Sequence, residues 1–112
     1  MEQYAAAFDL GTSGFRAQSL DLSSGRVVST VISTCHPLPG SNIIDHIHFT
    51  MDAGIENAHI LVIQAVNRLL GELGIDLNRT ARMAICGNPV QLSIFLGNDV
   101  EDLAYAGSKK LD

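Results

Sequence analysis

The order of apolar and polar positions divides the first third of the chain into three short strands. Residues 4–10 form a mostly apolar run, which is typical of a strand buried on both faces. Residues 15–22 alternate between two sides, and residues 26–34 are rich in the Val, Ile and Thr that favour strands. The connections are short, and Gly25 is expected in the left-handed conformation in the second one. The pattern therefore predicts an antiparallel meander of three strands.

A helical repeat of apolar positions follows. Two prolines within residues 36–40 end the sheet, and residues 42–51 are ambiguous but compatible with a helix. Apolar residues then recur at helical spacing and form one stripe: Ile55, Ala58, Val62, Ala65, Val66, Leu69, Leu70 and Leu73. We expect Asp52 to be the N-cap of this helix and Gly74 to end it.

A fourth strand and a second helix complete the pattern. Residues 81–86 are apolar enough for a central strand, and Asn88 with Pro89 predicts an N-cap and first turn of a helix that stops at Gly97. Residues 99–112 are polar and weakly patterned, so we expect a less ordered tail. Because a strand that returns through a helix lies parallel in the same sheet, the chain is predicted to be an α/β β-β-β-α-β-α unit. Its mixed sheet would carry helices on at least one face.

Composition narrows the class of protein. The 112 residues are 46% hydrophobic, which fits one globular domain spanning the whole chain. A net charge of −5 without a basic cluster argues against nucleic-acid binding. No apolar run is long enough to cross a bilayer, and the start lacks a basic leader, so a cytoplasmic location is expected. Cys35 and Cys86 have no metal or redox spacing and are expected to be reduced thiols, with Cys86 buried.

The first turn contains the strongest chemical signal. Asp9 ends a strand, so its carboxylate should lie at the edge of the sheet. Gly11 and Gly14 permit positive φ and close backbone approach, and Thr12 and Ser13 offer hydroxyl and N–H groups to an anion. An adjacent Asp suits a phosphate that carries Mg²⁺, held through water. The alternative is a polar turn selected for its geometry alone, and no Walker sequence is present.

A second polar cluster includes three histidines. The segment with Asp45, His46 and His48 could ligate a metal only if the backbone were extended, because His46 and His48 would then share a face. No third ligand has suitable spacing, even with His36 nearby. Polar residues at the border of a helix are the simpler interpretation.

The sequence Asp-Leu-Gly-Thr-Ser at residues 9–13 resembles the first phosphate loop of the actin, sugar-kinase and heat-shock-chaperone superfamily. The predicted order of elements is similar to one half of its ribonuclease-H-like fold. Within this superfamily the chain resembles the ATPase-like domains of reductive activators of corrinoid-dependent methyltransferases and related methanogenesis marker proteins. Residues 85–89 match their hydrophobic-Gly-Asn turn, although Pro89 and Val90 stand where the activators usually have two threonines.

The resemblance implies a nucleotide site. Asp9 would be the catalytic residue and would hold Mg²⁺ through water. Contacts to the nucleotide would come from the turn after the first strand, from the second strand, and from the Gly-Asn turn before the last helix. The residues are Gly11, Thr12, Ser13, Gly14, Arg16, Gly87 and Asn88. Arg16 could equally be a solvated strand residue, and Asn88 is fully explained as an N-cap.

The resemblance also implies that half of the cleft lies elsewhere. The second phosphate loop and the adenosine loop of such proteins are not found in the sequence, so ATP and Mg²⁺ are expected only in a longer protein of which this chain is an amino-terminal fragment. The chain alone would be inactive, and the whole would be an ATPase whose partner is a corrinoid or methyltransferase-type protein. Two alternatives remain: half of a small-molecule kinase with Asp45 or Asn88 on the substrate, and a non-catalytic interaction module. The oligomeric state is not predicted.

Overall fold

The computed structural model of the chain describes residues 3–100. The elements follow in this order: strands β1 (Tyr4–Leu10), β2 (Phe15–Asp21) and β3 (Val27–Ile32), helices α1 (Ile43–Ala53) and α2 (Ile55–Glu72), strand β4 (Thr80–Gly87) and helix α3 (Pro89–Leu96). A 3₁₀ turn at Leu77–Arg79 leads into β4. This order confirms the predicted β-β-β-α-β-α unit, with two helices in the crossover. A less ordered tail was predicted for residues 99–112. From residue 101 onward this segment lies outside the described residues.

The strands form one mixed sheet in the order β3-β2-β1-β4. The pairs β1–β2 and β2–β3 are antiparallel, and β1–β4 is parallel, as the crossover predicted. The prediction of a central fourth strand is wrong, because β4 lies at the edge of the sheet within residues 3–100. Its apolar Met83 is half exposed. Apolar composition alone does not determine how many neighbours a strand has.

The core lies on one face of the sheet. The inward residues of the first two strands, all at most 1% exposed, are Ala6, Phe8, Leu10, Phe15 and Ala17. They pack with the predicted helical stripe, whose members are buried or partly buried. The opposite face of β1 carries Ala5, Ala7 and Asp9, and Asp9 is exposed. The prediction that β1 is buried on both faces is therefore wrong, since alanine fits an open face as well as a covered one.

The helix ends follow local rules with one exception. Asn42 caps α1 by accepting the N–H of Asp45 at 2.9 Å, so the ambiguous segment is helical. Asp52 is not the N-cap of α2, because α1 continues through it to Ala53. Gly54, at a φ of 95°, separates the two helices and begins α2 without a side-chain cap.

Two glycines end helices as predicted. Gly74 and Gly97 have φ of 71° and 77°, and Gly25 adopts a φ of 73° in the turn between β2 and β3. None of the helices within residues 3–100 is long and apolar enough to cross a membrane.

Candidate functional site

The turn between β1 and β2 follows a tight backbone path. Leu10 and Phe15 are the last paired residues, and the N–H of Gly11 donates to the carbonyl of Gly14 at 3.1 Å. A Cβ at Gly14 would overlap the carbonyl oxygen of Ser33, and one at Gly11 would lie 2.8 Å from the Gly14 oxygen. Neither glycine uses the positive φ that glycine permits. Both positions exclude a side chain because backbone passes close by.

Asp9 and Arg16 lie side by side on the open face of the sheet. They are directly paired across β1 and β2, and Cys86 of β4 is the partner of Asp9 on its other side. All three are exposed, which corrects the prediction of a buried Cys86. Residues paired across strands share a face, so a carboxylate and a guanidinium are presented together where β1 ends.

Two shallow depressions meet at this pair. One, of about 250 Å³, has Gln18 and Cys86 in its lining, and the other, of about 330 Å³, includes Ser13. Asp9 and Arg16 line both. The open face therefore offers concave surface on either side of the charged pair.

The turn from β4 into α3 lies against the first turn. Gly87 pairs with Leu10, and a Cβ there would be 2.9 Å from the Leu10 oxygen. Asn88 caps α3, as predicted, by accepting the N–H of Gln91 at 3.0 Å. Its amide Nδ2 also donates to Thr12 Oγ1 at 3.3 Å, a contact that sequence reasoning missed. The structure thus brings both predicted turns to one edge of the sheet.

The hydrogen bonding of the turn between β1 and β2 (the first turn) differs from that of the turn between β2 and β3 (the second turn). In the second, Asp21 Oδ1 accepts the N–H and the hydroxyl of Ser23 at 2.8 and 2.7 Å, and these bonds hold the pKa of Asp21 below its ordinary value. In the first, the N–H groups of residues 12–14 donate no hydrogen bond within the described part of the chain. The first turn therefore keeps donors available, whereas the polar groups of the second serve the turn itself.

The histidine cluster is not a metal site within residues 3–100, where no group of three or more His, Cys, Asp or Glu is placed to hold a metal ion. On α1, His46 is buried and His48 exposed, so the two face different ways, as expected for a helix. His36 and His46 instead bond to Gln91 of α3, a side chain that is 0% exposed. Sequence reasoning missed Gln91, although a polar residue three positions before the buried Ile94 was a signal.

Comparisons with known proteins agree with the resemblance seen in the sequence. The family model described as "RACo middle region" matches residues 4–108. A Methanosarcina barkeri protein, "[Co(II) methylated amine-specific corrinoid protein] reductase", is 48% identical over 107 residues, which are 96% of this chain and 20% of that protein. The chain thus spans about one fifth of that relative's length.

A solved structure shares the fold. A "Reductive activator for corrinoid,iron-sulfur protein" superposes with a TM-score of 0.69 over 92% of this chain and 18% of its own, at 22% identity. This likeness supports the ribonuclease-H-like unit. On the sequence match over nearly its full length, the chain belongs to the RACo middle region family, related to the reductive activators of corrinoid proteins.

Proposed function

We propose that the first turn, with Asp9 and Arg16 beside it, is a phosphate-binding loop and forms one wall of a nucleotide site. The observation that carries this proposal is the set of free donors: the N–H groups of residues 12–14 have no acceptor within residues 3–100. Consecutive backbone N–H groups in a tight turn bind anions. The second turn, equally polar, has its carboxylate engaged by its own residues.

The residues present fit a magnesium-nucleotide rather than a metal held by protein alone. Asp9 is a single exposed carboxylate, and no cluster of acidic or histidine ligands accompanies it among the described residues. Mg²⁺ prefers one or two carboxylates, several waters and phosphate oxygens, and it would neutralise charge on the phosphates when bound. Asp9 would accept hydrogen bonds from water on the metal, while Arg16 would balance the remaining negative charge.

One wall of a nucleotide cleft is expected to bind the nucleotide only weakly. The depressions beside the charged pair are shallow and open, and affinity for a nucleotide requires that most of its surface be enclosed. We therefore place ATP and Mg²⁺ in a longer protein that contains this segment. There the segment would belong to an ATPase. The names of its relatives, a corrinoid-protein reductase and a reductive activator, suggest that this protein would activate a corrinoid protein by reduction. Positioning and charge neutralisation would carry the phosphate chemistry.

The alternative of a small-molecule kinase gains no support from Asp45 and Asn88, the two residues proposed to bind its substrate. Asp45 Oδ2 accepts the N–H of Ser41 at 3.3 Å, next to the start of α1. The amide of Asn88 is used at both ends, by Gln91 and Thr12. Both side chains thus have local structural partners.

Paramagnetic broadening tests the location of the metal. Mn²⁺ replaces Mg²⁺ in the ATP complex, which is added to the ¹⁵N-labelled chain while amide spectra are recorded. We expect broadening centred on residues 9–16, with little effect at residues 22–25. Asp9→Asn should remove most of the broadening at equal total Mn²⁺.

Asp21→Asn is the matched control, since it removes a carboxylate from the other turn of the same sheet. Broadening that is unchanged in Asp9→Asn, or that centres on residues 22–25, would contradict the proposed metal position. Absence of broadening at millimolar Mn·ATP would refute the phosphate-loop proposal for this chain and favour an interaction module.

A further inference from the structure

A chain of hydrogen bonds crosses the interior between α1, α3 and the segment that follows β3. The side-chain amide of Gln91 bridges two imidazole rings, with Oε1 2.6 Å from His36 Nε2 and Nε2 2.9 Å from His46 Nδ1. Gln91 and His46 are both 0% exposed. The two rings stack with centroids 3.8 Å apart, and the ring of Phe15 meets His36 edge-on at 5.0 Å. We call His36, Gln91 and His46 the clamp.

Backbone groups at both ends of the clamp fix where its protons lie. The N–H of Leu38 can only donate, and it lies 3.0 Å from His36 Nδ1, which must therefore accept. Neutral His36 then carries its proton on Nε2 and donates to Gln91 Oε1. The Gln91 amide donates in turn to His46 Nδ1, and His46 Nε2 donates to the carbonyl of Gly40 at 3.1 Å. All four hydrogen bonds run in one direction, and one arrangement of protons satisfies them.

An added proton has no acceptor in this arrangement. On His36 it would occupy Nδ1, which faces the N–H of Leu38, and on His46 it would occupy Nδ1, which faces the amide N–H₂ of Gln91. Burial lowers the pKa of His36 to about 4, with a smaller lowering from His46 and an opposing effect of the bond to Gln91. The stacked rings would also repel each other if both were charged.

Few other charges face the clamp. The other titratable groups on α1 are Asp45, His48 and Asp52, and all three are exposed. Helix α3 carries no charged side chain. On α2, which packs against both helices, Glu56, Arg68 and Glu72 are exposed, and His59 Nδ1 lies 3.0 Å from the carbonyl oxygen of Ile94. Protonation would therefore act mainly through the lost hydrogen bonds and the proximity of the two rings.

The clamp is connected to the first turn by two further hydrogen bonds. The N–H of Gln91 donates to Asn88 Oδ1, and Asn88 Nδ2 donates to Thr12 Oγ1. The start of α3 is therefore held by the clamp on one side and by Thr12 on the other.

We propose that Gln91 is a positioning residue: with His36 and His46 both neutral and protonated at Nε2, it holds the start of α3, and through Asn88 it holds Thr12. Protonation of the clamp releases the contact between Asn88 and Thr12. The significance for nucleotide binding rests on the proposed function, whereas the clamp and its link to Thr12 exist without nucleotide.

Long-range ¹H–¹⁵N spectra of the histidine rings test the clamp at pH 7 in the whole chain without nucleotide. His36 and His46 should each show only the Nε2–H form, with exposed His48 as the reference ring. Gln91→Glu keeps the shape, and its carboxylate can only accept, so His46 Nδ1 should gain a proton and donate to it. Gln64→Glu, on an exposed position of α2, should leave both rings unchanged.

Mixed tautomers at either ring, or a His46 ring that does not respond to Gln91→Glu, would overturn the clamp. The link to Thr12 is tested by following the Asn88 side-chain amide from pH 7 to pH 3.5 in the Asp9→Asn chain, which lacks the carboxylate near the end of β1. The amide should shift with the midpoint of His36, near pH 4. A shift of His36 without any response of Asn88 would refute the link but leave the proposed nucleotide site untouched.

Discussion

Replacing Gly14 with alanine tests whether the first turn is shaped by its own packing. The added Cβ would overlap the carbonyl oxygen of Ser33 and lie 3.1 and 3.3 Å from the carbonyl carbons of Ser33 and Thr34. These are backbone atoms, and the N–H of Ser33 is bonded to the Phe15 carbonyl at 2.8 Å, so they cannot easily move away. Because φ of Gly14 is not positive, overlap is the only penalty, and forced overpacking costs about 1–3 kcal/mol. We expect a loss of about 2 kcal/mol.

Gly71→Ala is the matched control because a Cβ there meets nothing within 4 Å and the position lies inside α2. Alanine should stabilise the helix by about 0.5–1 kcal/mol, so the two substitutions have opposite signs. Urea denaturation followed by circular dichroism measures both, with unchanged m-values expected. If Gly14→Ala is as stable as the parent chain, the glycine is not required by packing and the reasoning is refuted.

Three further outcomes are expected. The free energy of unfolding should fall as pH decreases from about 6.5 to 4, because His36 binds its proton less readily when folded. The full shift would be worth about 3 kcal/mol, which partial exposure reduces to about 1–2 kcal/mol. Asp21, whose pKa is also lowered, adds a loss of the same sign that begins only below about pH 5, so the fall between about pH 6.5 and 5 reports on His36. A flat profile there would contradict the burial of His36. Thr12→Val and Asn88→Ala should show a coupling of about 0.5 kcal/mol in a double-mutant cycle, whereas strict additivity would argue against their hydrogen bond. Iodoacetamide should alkylate Cys86 in the folded chain, and protection until unfolding would contradict its exposure.

Features that depend on a few neighbouring residues were predicted well from sequence. Gly25 has the left-handed φ that its position indicated, the last helix stops at Gly97, and Asn88 caps α3. These positions are set by local backbone geometry and by hydrogen bonds to the adjacent turn. The cap at Asp52 failed because Asn42 starts an earlier helix that runs on through Asp52, so the next helix begins at Gly54 instead.

Features that depend on distant segments were predicted poorly. The edge position of β4 and the open face of β1 follow from which elements pack together, and apolar composition does not specify this. The two turns predicted from sequence do lie together, but the bond that joins them, between Thr12 and Asn88, links residues 76 positions apart. Gln91 shows the same limit, since its partners His36 and His46 are 55 and 45 residues away.

The central claim is that the first turn binds phosphate through its free N–H groups. Titration of the ¹⁵N-labelled chain with Mg·ATP, followed by amide chemical shifts, tests it most directly. We expect saturable shifts at residues 12–14 with millimolar affinity, loss of these shifts in Asp9→Asn, and no matching shifts at residues 22–25. Shifts that are equal at both turns, or none at residues 12–14, would contradict the claim, and micromolar affinity would contradict the single-wall site.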